Sequence, residues 1–174
     1  TDFAPDILTL ATRTPEKSRF ITQAAEAGIR GLHVEKPLCN TLKELQALRQ
    51  TLTDYDMLMT SGCLRRYLPF YQTLPQLAAQ YELGSLRHAE IGMGTASLMW
   101  TQFHGIDLLL LLADGSPLRE VRANLSPLTR VGNVIDNDPI VLSADFVFES
   151  GFMGHIGQVA GNSLTLSHQA GQIE

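Results

Sequence analysis

Cysteine is scarce in this chain: Cys39 and Cys63 are the only two in 174 residues. Two cannot build the disulfide framework that holds small secreted domains together, so they read as free thiols in a reducing compartment. Long apolar runs are missing as well. The longest, Leu108 to Ala113, falls far short of the roughly 20 residues a spanning helix needs, and Asp107 abuts it. No secretory leader pattern is visible. The expectation is a cytoplasmic protein with no membrane partner. Excess positive charge is also lacking: the formal net charge is −5, which argues against a general nucleic-acid surface. Internal repeats and low-complexity segments are absent. A content of 44% hydrophobic and 18% charged residues excludes disorder. Several chemical signatures are absent too. There is no Gly-x-Ser-x-Gly nucleophile motif. His33, His88, His155 and His168 are scattered, without acidic or thiol partners at ligand spacing, so no metal site is expected. No Gly-x-Gly-x-x-Gly phosphate loop occurs. "GMGTAS", from Gly92 to Ser97, holds a Gly-x-Gly but opens no helix after a parallel strand.

What is present begins with an alternation of elements. Residues 7–11 form a short apolar run that predicts a buried strand. Thr14 is placed to cap a helix and Pro15 to stand in its first turn. Phe20, Ala24 and Ala27 mark one face of that helix, and Gly28 stops it. Residues 32–34 predict the next strand. Thr41 and Glu44 make a Thr-x-x-Glu capping box, after which Leu42, Leu45, Leu48 and Leu52 form an apolar stripe. Residues 57–60 predict a third strand. Strand, helix, strand, helix, strand with short connections predicts a parallel sheet with crossover helices.

The pattern changes near Arg66. Pro69 opens a helix with Phe70, Leu74, Leu77 and Tyr81 on one face, and residues 101–113 read as helical. Strands are predicted near 119–126, 139–149, 152–160 and 163–168, with "ESGFMG" as a tight turn between two of them. The expected fold class is therefore α/β: half of a doubly wound parallel sheet over residues 1–65, then an α+β domain with a mostly antiparallel open sheet over residues 66–174. The chain opens on Thr1 close to a buried strand and closes on "GQIE", so both ends read as cut.

One short stretch resists a purely structural reading. "GLHVEKPLCNTLKEL", residues 31–45, runs a strand straight into Glu35-Lys36-Pro37. In open α/β sheets ligands bind at the carboxyl ends of the strands, which is where Lys36 falls. A lysine held there can hydrogen-bond a substrate hydroxyl or exchange a proton. Pro37 stiffens the turn, with either isomer of the preceding bond open. The plainer alternative is a solvated surface turn.

The flanking pattern shifts the weight toward the functional reading. "EAGIRGLHVEKPLCNTLKEL" resembles the signature of the Gfo/Idh/MocA oxidoreductases, the glucose–fructose oxidoreductase and inositol dehydrogenase family. "ILTLATRTPEK" resembles the preceding strand and its cofactor-side loop. "RRYLPFYQTL", "LGSLRHAEIGMG" and "HGIDLLLLLADG" resemble, in order, the entry to the second domain, its first sheet strand and its His-x-x-Asp helix. The resemblance implies a Rossmann domain joined to a substrate domain. The implied reaction is hydride transfer between a sugar- or cyclitol-like alcohol and NAD or NADP. It implies Lys36 as the catalytic lysine and His104 as general acid/base, since imidazole titrates near neutrality. Thr12, Arg13, Glu35, Lys36 and Pro37 are the implied cofactor residues; Arg66, Trp100 and Asp107 are the implied substrate residues. Arg66 can instead pair with a carboxylate, and Asp107 supports His104. A homo-oligomer through the open sheet face is also within the implied range. The rival from another class is a non-catalytic sensor or interaction protein on the same fold.

Three departures from that family stand out. The phosphate loop is missing. An aspartate commonly four residues before the catalytic histidine is replaced by Trp100, whose indole has no acidic group. Trp100 is then either core packing or an apolar substrate wall. A histidine common in the loop after the first strand is replaced by Lys17. With Arg13, Lys17 can meet a phosphate or carboxylate, but the residues favour a solvated basic helix start.

Overall fold

The computed structural model describes residues 5–132, 134–135, 137–159 and 161–174. Thr1 and Ala160, which enter the expectations above, lie outside them. The chain divides into two units, Thr1–Cys63 and Leu64–Glu174.

In the first unit, strands β1 (Ile7–Leu10), β2 (Gly31–Val34) and β3 (Leu58–Ser61) form a parallel sheet in that order. Leu10 stands opposite Val34, and Val34 opposite Ser61. Helices α1 (Thr14–Glu26) and α2 (Leu42–Asp54) make the crossovers. The cap of α1 is Arg13, not Thr14. Arg13 is extended, and its carbonyl closes the first turn by accepting from Glu16 N at 3.1 Å, so the helix begins one residue early. Gly28, at φ +82°, ends the C-terminal turn in the left-handed region that glycine enters without strain. The capping box on α2 forms as expected: Glu44 N donates to Thr41 Oγ1 and Thr41 N to Glu44 Oε2, both at 3.1 Å. The leucine stripe is shorter than expected. Leu48 is buried, but Leu42 is 78% exposed. It is the first residue of the helix, and its side chain leans back past the helix end. Leu10, Ile21, Ala24, Leu32, Val34, Leu48 and Met57 make this unit's core.

The second unit opens with a 3-10 turn at Leu64–Tyr67 and helix α3 (Pro69–Gln80). The face of α3 turned inward is Tyr71, Leu74 and Ala78; Phe70 and Tyr81 are exposed. Apolar size misleads here: small Ala78 is buried, while the larger Phe70 and Tyr81 are not. The sheet follows the order β11-β10-β4-β9-β8-β5. Its strands are β4 (Leu86–Met93), β5 (Leu118–Leu125), β8 (Val141–Phe148), β9 (Met153–Gly157), β10 (Asn162–His168) and β11 (Gln172–Ile173). Every neighbouring pair is antiparallel except β4 with β9. Gly151, at φ +83°, turns the β8–β9 hairpin. A small ladder, β6 (Arg130–Val131) with β7 (Val134–Ile135), was not expected from the sequence. Helix α4 (Phe103–Leu112) packs Leu108 and Leu109 against Ala89, Ile91, Phe146, Phe148 and Ile156. The opposite sheet face is polar, with Thr165, Glu90, His155, Asp145 and Arg122 in register across five strands. The α/β class, a parallel sheet followed by a mostly antiparallel one, is the one expected. None of the helices among the described residues is long and apolar enough to cross a membrane.

Candidate active site

Each unit carries its own cluster of expected site residues. In the first unit, β2 hands over to the Glu35-Lys36-Pro37 turn at its carboxyl end. Glu35 N donates to Leu10 O at 2.8 Å, which ties the start of the turn to the end of β1. The Lys36–Pro37 peptide is cis. Lys36 and Pro37 are half-buried, while Glu35 and Arg13 are exposed. Thr12 follows β1, and its hydroxyl is buried with no hydrogen-bond partner among the described residues.

The largest surprise lies beneath this turn. Lys17 is not solvated; it is 1% exposed. Its Nζ donates to Pro37 O at 2.7 Å and also to Glu35 O. Burial lowers its pKa below the ordinary 10.5; Glu35 works against that shift and Lys36 adds to it. The local reason is helical spacing. Lys17, Ile21 and Ala24 or Ala25 recur at i, i+4 and i+7 or i+8, so the lysine heads the stripe that enters the core. That signal was present in the sequence, but a lysine in a first turn reads as solvated by default. Cys39, two residues beyond Pro37, has its thiol pushed up by burial and then by Glu44, which suppresses the reactive thiolate.

In the second unit, His104 stands half-buried in the first turn of α4. A π-helical turn, Leu98–Gln102, leads into it. Such turns are frequent at functional sites. Three contacts that the sequence did not reveal hold this turn. Asp138 accepts from Ser97 Oγ at 2.6 Å and from Met99 N at 2.9 Å. Leu98 N donates to Pro139 O at 2.7 Å. Gln102, wholly buried, donates through Nε2 to Val141 O at 2.8 Å and accepts from Val141 N at 2.6 Å. Its amide thus stands in for a neighbouring strand at the start of β8. Trp100 projects from the π turn with 72% of its surface exposed, which removes the core-packing alternative.

One turn beyond His104, Asp107 accepts a forked ion pair from Arg66, with Nη2–Oδ1 at 2.6 Å and Nε–Oδ2 at 2.9 Å. Arg66 also reaches Asp107 O at 3.3 Å. Of its two expected roles, pairing with a carboxylate is the one seen.

The remaining histidines serve local structure where their bonds are seen. His33 Nδ1 meets Thr60 Oγ1 at 2.9 Å, His155 meets Asp145 at 2.7 Å, and His168 meets Gly84 O at 3.1 Å. Among the described residues no group of three or more His, Cys, Asp or Glu is placed to hold a metal. A cavity of about 520 Å³ in the second unit, lined by residues including Tyr71, Leu74, Leu112 and His168, takes in none of the expected site residues.

No protein-family model matches the chain, and no curated protein does. Solved structures do match. A dehydrogenase from Chromobacterium violaceum superposes with a TM-score of 0.77 at 19% identity, over 99% of this chain and 54% of that one. Myo-inositol 2-dehydrogenase from Lactobacillus plantarum gives 0.76 at 16% identity, over 99% of this chain and 57% of that one. The WlbA dehydrogenase from Bordetella pertussis, solved with NADH and UDP-GlcNAcA, gives 0.76 at 17%, over 97% and 57%. The chain spans about half the length of these structures. They are Gfo/Idh/MocA-type dehydrogenases, and at these identities the likeness establishes a shared fold.

Proposed function

We propose that this chain is a working part of a Gfo/Idh/MocA-type oxidoreductase that moves a hydride between a sugar- or cyclitol-like alcohol and NAD or NADP. The observation that carries the reading is the Glu35-Lys36-Pro37 turn. It closes a parallel strand at its carboxyl end, in a fold whose solved neighbours are dehydrogenases over 99% of this chain. The first unit is assigned to the cofactor and the second to the substrate. Thr12 fits a cofactor contact, because a buried hydroxyl without a partner is costly unless a ligand completes it. Arg13, Glu35, Lys36 and Pro37 lie at the same strand ends. The sequence offers no glycine loop for a pyrophosphate, so the residues in hand suit only part of such a cofactor. When bound, the nicotinamide supplies the hydride acceptor.

The chain's own groups do the rest. Lys36 donates a hydrogen bond to the reacting oxygen and stabilises the negative charge that develops on it. His104 takes the hydroxyl proton, a task suited to imidazole near neutral pH. Trp100 presents an exposed ring face suited to the C–H surface of a sugar. Arg66 and Asp107 are bound to each other, which supports a part in holding α4 next to His104, at the edge of the proposed substrate site.

The test uses the full-length natural protein, a panel of polyols and sugars, and NAD or NADP, followed by reduced-nicotinamide absorbance. Turnover with at least one substrate is expected, and Lys36→Ala is expected to lower it by about 100-fold or more with cofactor affinity nearly unchanged. A flat panel overturns the oxidoreductase reading, and wild-type rates in Lys36→Ala overturn the lysine's role. His104→Asn is expected to depress turnover and alter its pH profile; an unchanged profile removes His104 as the proton carrier.

A further inference from the structure

Lys17 is left unexplained by the chemistry just assigned. An apolar side chain would fill its place on the inward stripe of α1 without taking an ammonium out of water, which is expensive unless fully hydrogen-bonded. The chain carries a lysine there, and its Nζ donates to the carbonyls of Glu35 and Pro37. Those are the carbonyls on either side of Lys36. With Glu35 N held by Leu10 O, the backbone bearing Lys36 is tied before and after that residue, from an anchored helix and a strand. Other roles for Lys17 fail on geometry. The residue is 1% exposed and its Nζ is engaged by two backbone carbonyls, so a role as a solvated surface cation does not fit.

We infer that Lys17 is a positioning residue: it pins the Glu35–Pro37 backbone and thereby aims the Lys36 side chain, touching neither substrate nor cofactor. The consequence for rate rests on the reading of Lys36 as catalytic; the pinning itself does not. A displacement of about 1 Å in a catalytic group lowers rate by around 100-fold, so loss of the pin shows in turnover rather than in affinity.

The experiment compares full-length wild type, K17M, K36A and K17M/K36A. Methionine keeps the length and apolar stem of lysine and removes the donors. K17M is expected to lower kcat by about 30-fold or more while KM for cofactor and polyol moves by less than about threefold. In the K36A background, K17M is expected to lower kcat by less than about threefold more, because a residue acting through Lys36 has nothing left to aim. Equal losses in both backgrounds would reduce Lys17 to a merely structural part and overturn the inference. Hydrogen exchange gives a readout independent of activity. In K17M the amides of Lys36, Leu38 and Cys39 are expected to exchange about tenfold faster or more, with α1 and β1–β3 protected as before. Should K17M fail to fold, K17Q keeps two N–H donors on a side chain one bond shorter, without the charge, and is expected to fall between wild type and K36A in rate with residues 36–39 exchanging faster than in wild type. A K17Q that keeps wild-type rate while exchange at residues 36–39 is accelerated overturns the proposal. If wild-type protein turns over no substrate, the oxidoreductase reading falls by itself. Exchange then decides on Lys17: acceleration confined to residues 36–39 supports the pin, and unchanged exchange overturns it.

Discussion

Lys17 also makes a prediction that needs no substrate. Burial holds its pKa below 10.5, with Glu35 opposing and Lys36 adding to the shift. Below the lowered value both folded and unfolded chains carry the proton, and the folded state bears the full penalty of the buried charge. Between the lowered value and 10.5 the unfolded chain holds more protons, so stability rises with pH; above 10.5 the gain is complete. Other alkaline groups cancel when wild type is compared with K17M. The expected result is that the stability difference, wild type minus K17M, rises with pH across that window in urea titrations. A difference independent of pH would show that Lys17 is not desolvated. At this scale the sequence was legible where the signal is local. Glu35-Lys36-Pro37 could be placed at a strand end because its neighbours in sequence are its neighbours in space. For Lys17 the helical spacing signalled the inward face, but its partners could not be read, because its acceptors lie 18 and 20 residues away.

Among the elements, the seat of α4 is the one that places His104. Gly154 on β9 lies beneath it: an added Cβ would stand 2.5 Å from Leu109 Cδ2 and 2.7 Å from Cδ1. Leu109 is wholly buried and has little room to yield. Alanine in a strand gains about 0.5–1 kcal/mol over glycine in backbone entropy. Overpacking costs about 1–3 kcal/mol, so the clash wins. Gly154→Ala is therefore expected to destabilise the second unit by about 1 kcal/mol or more, read by urea unfolding; an equal or stabler variant would show that α4 sits loosely. Gln102→Leu attacks the same helix from its other end. It leaves Val141 N–H and C=O without the amide that pairs both, at about 1–3 kcal/mol for each orphaned group. Neither device was readable in advance. The helix itself was, from the apolar run and its spacing. But the strand under Gly154 and the partner of Gln102 are set by a sheet order in which β4 lies between β10 and β9, far from it in sequence. The inward face of α3 was only partly read for a related reason: Phe70 and Tyr81 weigh heavily in a periodicity count, yet Leu74 and Ala78 are the residues buried.

Across the whole molecule, the decisive feature is that the two cores share no residue. One gathers Ile21, Leu32 and Val34 with their neighbours; the other gathers Ile91, Leu109, Phe148 and Ile156 with theirs. The change of pattern near Arg66 is the signal on which the sequence reading divides the chain at 65; the two units of the structure are Thr1–Cys63 and Leu64–Glu174. Separate cores are able to open separately, because cooperative units follow contiguous packing. Ile21 is 1% exposed, and cutting it to alanine costs about 2–5 kcal/mol. Ile21→Ala is expected to speed hydrogen exchange in α1, α2 and β1–β3 while leaving β4, β8 and β9 as protected as in wild type. Uniform acceleration over both units would mean that they unfold as one. That outcome would also change how every first-unit variant is read, because a loss of turnover in K17M could then arise from loosening around His104. Confinement of the Ile21→Ala effect to the first unit keeps the two causes apart, and it makes the rate of K17M a report on Lys36 alone.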